Sequence, residues 1–210
     1  MSSGMVGGSI AVWLGVLFCL GLAAAAPGHL PRLKVSANAR YLVTQEGKPF
    51  FWLGDTAWYV GRLTPEEVDL YLATRKQQGF TVIQISPGSA GNYAGLETTP
   101  GEVGRRPFLN DDTDTPDESY WRRIDAFVDK AGRQGLYVVI FPQWGSQLAA
   151  AVGGDGAKLR RLGLWVGRRY ADRSNVVWSV CGEYDAINAY RPPITEAEKA
   201  AIEALARGLR

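Results

Sequence analysis

Apolar positions along this chain recur with a period of two in short runs and near 3.6 in longer ones, and the two kinds of run alternate. The stretch "RYLVTQEGKPFFWLGDTAWY" reads as a strand, a turn at Gly47 and a second strand, with Asp55 at the end of the apolar run Phe50–Leu53. Thr64-Pro65-Glu66-Glu67 then has the form of a helix start. A threonine oxygen can take the free amides of a first turn, proline is tolerated there, and a glutamate three residues after the cap can reach back. Val68, Tyr71 and Leu72 supply the apolar stripe of that helix, and Gly79 its stop.

The pattern repeats. "FTVIQIS", Phe80–Ser86, is a short β-branched strand, and Thr115-Pro116-Asp117-Glu118 opens a helix with Tyr120, Ile124, Phe127 and Val128 on one face. Leu136–Trp144 is a third strand, and Leu159, Leu162, Val166 and Tyr170 mark a third helix. "NVVWSVCGE" is a fourth strand, and Thr195-Glu196-Ala197-Glu198 starts a fourth helix that runs to the last residue. Strand and helix thus alternate four times, which implies a parallel sheet under helices, because a parallel crossover needs a helix-length connection. No Gly-x-Gly-x-x-Gly follows the first strand, so a dinucleotide-binding sheet has no support. In the fourth strand Val177, Ser179, Cys181 and Glu183 share one face and Val176, Trp178 and Val180 the other, the division of a (β/α)8 TIM-type barrel. The fold class read here is α/β, with about the first four β/α units of such a barrel.

Composition narrows the options. With 210 residues, 46% hydrophobic and 21% charged, the chain is of globular type, and a net charge of +2 gives no electrostatic footprint for nucleic acid. The uncharged run "IAVWLGVLFCLGL" followed by Ala23–Ala26 has the length of a signal-peptide core and the small residues of a cleavage site. Residues 1–26 are read as a signal peptide, with a secreted or periplasmic protein as the consequence and a membrane anchor as the alternative. Residues 27–210 are the half-barrel; after cleavage they carry one cysteine, Cys181, read as a small inward filler, so no internal disulfide is possible. His29 is the sole histidine, which leaves zinc sites and Ser-His or Cys-His catalysis without a partner. The acidic run Asn110–Glu118 does not have the spacing of a calcium loop and reads as a solvated loop. No metal and no cofactor is expected.

In a parallel barrel the active site lies where strands end and loops begin. Those ends offer Asp55, Thr56 and Trp58; Gln84 and Ser86; Gln143 and Trp144; and Glu183, Tyr184 and Asp185. The long Gly-rich segment after the second of these strands adds Asn92 as part of an overhanging loop. Carboxylates do acid, base or nucleophilic work at a glycosidic bond, amides bond hydroxyls, and aromatic faces stack on sugar rings. The set is a carbohydrate site by type, with Glu183 either a catalytic carboxylate or a structural acid paired with an arginine, and Asp55 either a sugar contact or a residue bonding its own turn. Trp52 and Trp178 read as outward residues under the helices. A Schiff-base aldolase would need a lysine at a strand end, and none of Lys34, Lys48, Lys76, Lys130, Lys158 or Lys199 sits at one.

The segments "LKVSANARYLVTQEGKPFFWLGDTAWY", "RKQQGFTVIQIS" and "NVVWSVCGEYDA" resemble the apiosidase-like catalytic domain, which includes glycoside hydrolase family 140. The likeness covers about Leu33 to Asp185. It implies a secreted retaining glycosidase on a (β/α)8 barrel, often followed by a small β-rich domain, with plant-type or other complex polysaccharide as substrate. In that family one catalytic acid follows the fourth strand in a Gly-acid turn, commonly Gly-Asp; here the turn is Gly182-Glu183, so the resemblance gives Glu183 the acid/base role. It also implies a nucleophilic carboxylate from a later strand, beyond residue 210. The rival reading is a non-catalytic carbohydrate-binding or surface protein built on a partial barrel.

Overall fold

A computed structural model describes residues 30–58, 60–89, 106–142, 153–182 and 194–210. Two short strands, β1 (Leu33–Val35) and β2 (Leu42–Thr44), form an antiparallel hairpin. They precede a four-stranded parallel sheet in the order β3 (Gly54–Thr56), β4 (Val82–Ile85), β5 (Tyr137–Ile140) and β6 (Val176–Trp178). The helices α1 (Pro65–Gln77), α2 (Glu118–Arg133) and α3 (Gly156–Arg169) connect successive strands, and α4 (Glu196–Gly208) follows β6. These are four β/α units in barrel order.

The sequence accounts for most of these boundaries. Thr64 and Glu67 form a reciprocal capping box at the start of α1, and Thr195 and Glu198 form another at the start of α4. Helix α1 stops before Gly79, whose φ of +86° a side chain would resist. The start of α2 differs from expectation: Asp117 is the cap, accepting from the amides of Ser119 and Tyr120. Thr115 instead donates to the carbonyls of Leu109 and Asp112. The acidic run is tied down too, since Asp112 pairs with Lys158 and Asp114 with Arg161 on α3. Helix α4 ends at Gly208, two residues before the chain does.

The two faces of the sheet make two cores. Ile83, Ile85, Val138 and Ile140 point outward and are buried with Leu72, Trp121, Ile124, Phe127, Leu159 and Leu162 from the helices. Val82, Tyr137, Val139 and Phe141 form the inner cluster, with Leu30, Leu33, Phe50, Trp58 and Val177 packed against it. The Tyr137 hydroxyl donates to the Pro31 carbonyl at 2.5 Å, which fastens the leading segment under the sheet.

The first sheet strand begins later than its apolar run. Leu53 ties its carbonyl to the amides of Thr81 and Val82, and pairing proper spans Gly54–Thr56. Phe51, Trp52 and Leu53 lie before it and are exposed. Hydrophobicity marked the neighbourhood, while the pairing follows the backbone groups of β4.

Candidate active site

Parallel pairing brings the C-terminal ends of β3, β4, β5 and β6 to one edge of the sheet. Three of the connections leaving that edge are interlocked. The Tyr120 hydroxyl, from buried α2, donates to the Pro87 carbonyl after β4 at 2.9 Å. Its oxygen also lies where a Cβ on Gly61 would come within 2.7 Å, so the turn Val60–Arg62 after β3 rests directly on that ring. A Cβ on Gly88 would stand 1.9 Å from the Pro142 carbonyl oxygen, so the backbones after β4 and β5 touch there. Burial pushes the Tyr120 hydroxyl well above its ordinary titration range, and it stays a neutral donor.

Within this frame the predicted residues divide. Gln84 lies on the inner face, where it flanks Gly54: a Cβ at 54 would be 3.5 Å from Gln84 Nε2 and 3.1 Å from Trp52 Nε1. Trp58 also faces inward, packed edge-on against Phe141 with ring centres 5.6 Å apart. Gln84 and Trp58 therefore share the barrel-interior side. Ser86, next along β4, is buried and donates to the Phe141 carbonyl at 3.4 Å.

Asp55 does not join them. Its register partner is Ile83, an outer-core residue, so its side chain points to the helix layer. There the carboxylate accepts from the Tyr71 hydroxyl at 2.7 Å and from Arg75 Nε, both on α1. Burial acts to raise the Asp55 pKa, but the hydrogen bonds from Arg75 and Tyr71 outweigh it and hold the carboxyl below its ordinary value. Burial and the same carboxylate push the Tyr71 hydroxyl upward. Asp55 is thus a strand-to-helix tie rather than a sugar contact.

Two smaller expectations are also corrected. Trp52, expected under the helices, sits beside inward Gly54 and edge-on to Phe50 at 6.3 Å. Cys181, expected as an inward filler, packs against the outer cluster with Val180, because β-pairing ends at Trp178 and strict alternation ends with it. Trp178 is outward as expected. Asn92, Gln143, Trp144, Glu183, Tyr184 and Asp185 lie outside the described residues. The described chain leads up to them at Pro142 and Gly182, and the Ser179 amide still donates to the Ile140 carbonyl at 3.1 Å beyond β6.

Phe141 and Tyr120 were missed as members of this end of the sheet. Phe141 was legible, being two residues past inward Val139, whereas the role of Tyr120 depends on a fold contact with Pro87, 33 residues away. Among the described residues, no group of three or more His, Cys, Asp or Glu side chains could hold a metal ion. Among the same residues, no helix is long and apolar enough to cross a membrane.

Comparison with known proteins agrees with this architecture. The family model described as "Apiosidase-like, catalytic domain" matches residues 36–210. A solved structure named glycoside hydrolase is 27% identical, with a TM-score of 0.63 over 85% of this chain and 38% of its own. A glycoside hydrolase family 5 protein from Bacteroides vulgatus is 23% identical, with a TM-score of 0.63 over 88% of this chain and 39% of its own. An endo-1,4-beta-mannanase from Rhizomucor miehei is 14% identical, with a TM-score of 0.61 over 85% and 57%. The latter two establish the fold. The chain spans well under half the length of the first two neighbours. No curated protein sequence matches it.

Proposed function

The chain belongs to the apiosidase-like catalytic-domain family, and on that premise we propose that it forms the acid/base side of a secreted glycosidase acting on plant-type or other complex polysaccharide. The observation that carries the reading is the common edge at which the four parallel strands end, with inward Trp58 beside it; in the sequence, Gly182-Glu183 follows β6. Glu183 is the general acid/base: it protonates the leaving glycosidic oxygen and then, in a retaining reaction, takes a proton from the attacking water. Trp58 stacks on a sugar face, and Gln84 bonds a hydroxyl; Asn92, Gln143, Trp144, Tyr184 and Asp185 complete the substrate contacts. The apolar run Ile10–Leu22 fits export, which N-terminal sequencing of the secreted protein would check.

Retaining hydrolysis needs a second carboxylate roughly 5 Å from the first. Asp55, engaged by Arg75 and Tyr71 on the outer side, does not supply it. The described inward positions of β3 to β6 carry no acid, and the family resemblance assigns the nucleophile to a later strand. The same observation favours a second reading, a carbohydrate-binding platform without hydrolysis.

The test is to compare a protein carrying the whole barrel with its Glu183→Gln variant on pectic oligosaccharides and on aryl glycosides with a good leaving group. Loss of roughly 10²–10⁴ in kcat on the unactivated substrate, with a much smaller loss on the activated one, is the expected result for a general acid. Near-normal turnover by the variant on the unactivated glycoside would remove Glu183 from the role. Saturable oligosaccharide binding with no product released by either protein would establish the platform.

A further inference from the structure

We propose that Asp55, Tyr71 and Arg75 are positioning residues that set the height and tilt of Trp58 at the sugar-binding end of the sheet. The inference rests on the reading of Trp58 as a sugar platform, and it assigns the outward carboxylate a task in that site without substrate contact.

Among the described residues, strand β3 pairs over three residues with β4. Its entry is held by Thr81, whose hydroxyl donates to the Phe51 carbonyl at 2.7 Å and accepts from the Leu53 amide at 2.9 Å. Its exit is held by the Ala57 amide, which donates to the Gln84 carbonyl at 2.8 Å. Asp55 sits between those two points and reaches outward.

Its two partners lie one turn apart on α1, so both point from the same helix face. Arg75 is held in turn, with Nη1 donating to Gln78 Oε1 at 3.0 Å and the guanidinium stacked 5.0 Å from the Tyr71 ring centre. The Asp55 side chain is 24% exposed, and water competes little for it. The tie spans 16 residues to Tyr71 and closes the loop that carries Trp58 from strand to helix. Trp58 lies three residues past Asp55, about 10 Å along an extended chain. A small rotation of β3 is therefore passed to the indole, and sugar stacking tolerates little displacement.

The experiment uses the protein labelled with 5-fluorotryptophan, the fluorine resonance of Trp58 being assigned with Trp58→Phe. Asp55→Asn keeps the shape of the side chain and removes its charge, while Tyr71→Phe removes one donor and covers the case in which the first variant does not fold. Asp114→Asn is the control, since it breaks an exposed ion pair with Arg161 elsewhere. The expected result is a shifted or broadened Trp58 resonance in the Asp55 and Tyr71 variants with the Trp121 and Trp165 resonances in place. The oligosaccharide dissociation constant should rise roughly tenfold in parallel. The control should move neither.

An unmoved Trp58 resonance in folded Tyr71→Phe and Asp55→Asn, with a lowered melting temperature, would overturn the proposal and leave the tie purely structural. Trp58→Ala separates the two readings. If it leaves sugar binding intact while Asp55→Asn still shifts the Trp58 resonance, the platform assignment fails and the positioning stands.

Discussion

Asp55 is ionised because two donors outweigh its burial, and the sign of that balance fixes how it affects stability. Its folded pKa lies below the ordinary 3.8, so the unfolded chain binds the proton more readily than the folded one. The contribution to stability is then complete above the unfolded value and declines as pH falls through 3.8 toward the folded one. Asp55→Asn is expected to cost about 1–3 kcal/mol at pH 7, since Arg75 loses its charged partner in a partly buried setting. Urea unfolding of both proteins at pH 7 and at pH 3 checks this: the difference should shrink at the lower pH, and an unchanged difference would mean that packing rather than charge is lost. The outward placement of Asp55 was legible in the sequence. Alternation carried from Phe50 to Trp58 puts Phe50, Trp52, Gly54, Thr56 and Trp58 on one face and Asp55 on the other. The polar residue at an apolar run's end drew the functional reading instead, although its partners Tyr71 and Arg75 stood in a recognised helix.

Between elements, backbone proximity and charge pairing do different work. Helices α3 and α4 pack through glycines: a Cβ on Gly163 would lie 2.3 Å from the Leu205 carbonyl oxygen, and one on Gly208 would lie 2.5 Å from that of Arg160. Gly163→Ala must push the helices apart, so a loss of about 2–3 kcal/mol is expected despite alanine's better helix propensity. Gly156→Ala, whose nearest neighbour would be at 3.5 Å, should be close to neutral, and calorimetry of the two variants tests the contrast. Helix α2 is joined by charge to α3 and the turn after it: Arg169 pairs with Glu118 and Asp125, and Arg173, just past α3, with Asp129. Arg169→Lys should lose more than half of what Arg169→Met loses, because a lysine cannot form both forked contacts at once; chemical denaturation of the two variants would show it. The capping boxes at Thr64 and Thr195 were readable because a cap is local. The ladder was not, since Arg169 and Asp125 are 44 residues apart and nothing in the sequence sets that helix register. The start of α2 misled for a related reason: the Thr115 hydroxyl is taken by a loop fold that local pattern does not encode.

For the whole molecule, the number and order of β/α units could be read from the alternation of periods, while the extent of pairing could not. Pattern reasoning gave strands of seven to nine residues at Phe80–Ser86 and Leu136–Trp144, where pairing covers four in β4 and four in β5. Four units imply a half barrel with open sheet edges, and among the described residues β3 and β6 each pair on one side only, with Phe51 75% exposed just before β3. Sheet edges of this kind template pairing with other chains, and an apolar approach to the edge adds a driving force. The solved neighbours carry the same units as 38–39% of their length and have further chain that this one does not match. A polypeptide of residues 30–210 alone should therefore self-associate as its concentration rises. Sedimentation velocity over a hundredfold range should show weight-average mass climbing with concentration. Phe51→Lys should reduce the association, because a charge beside an edge opposes strand addition. A monomer throughout that range would show that the leading segment and the helices shield the edges well enough by themselves. Added pectic oligosaccharide provides the link to function. If the sugar binds on the inner face beside Trp58 and Gln84, it should compete with edge-to-edge assembly and shift the distribution toward monomer.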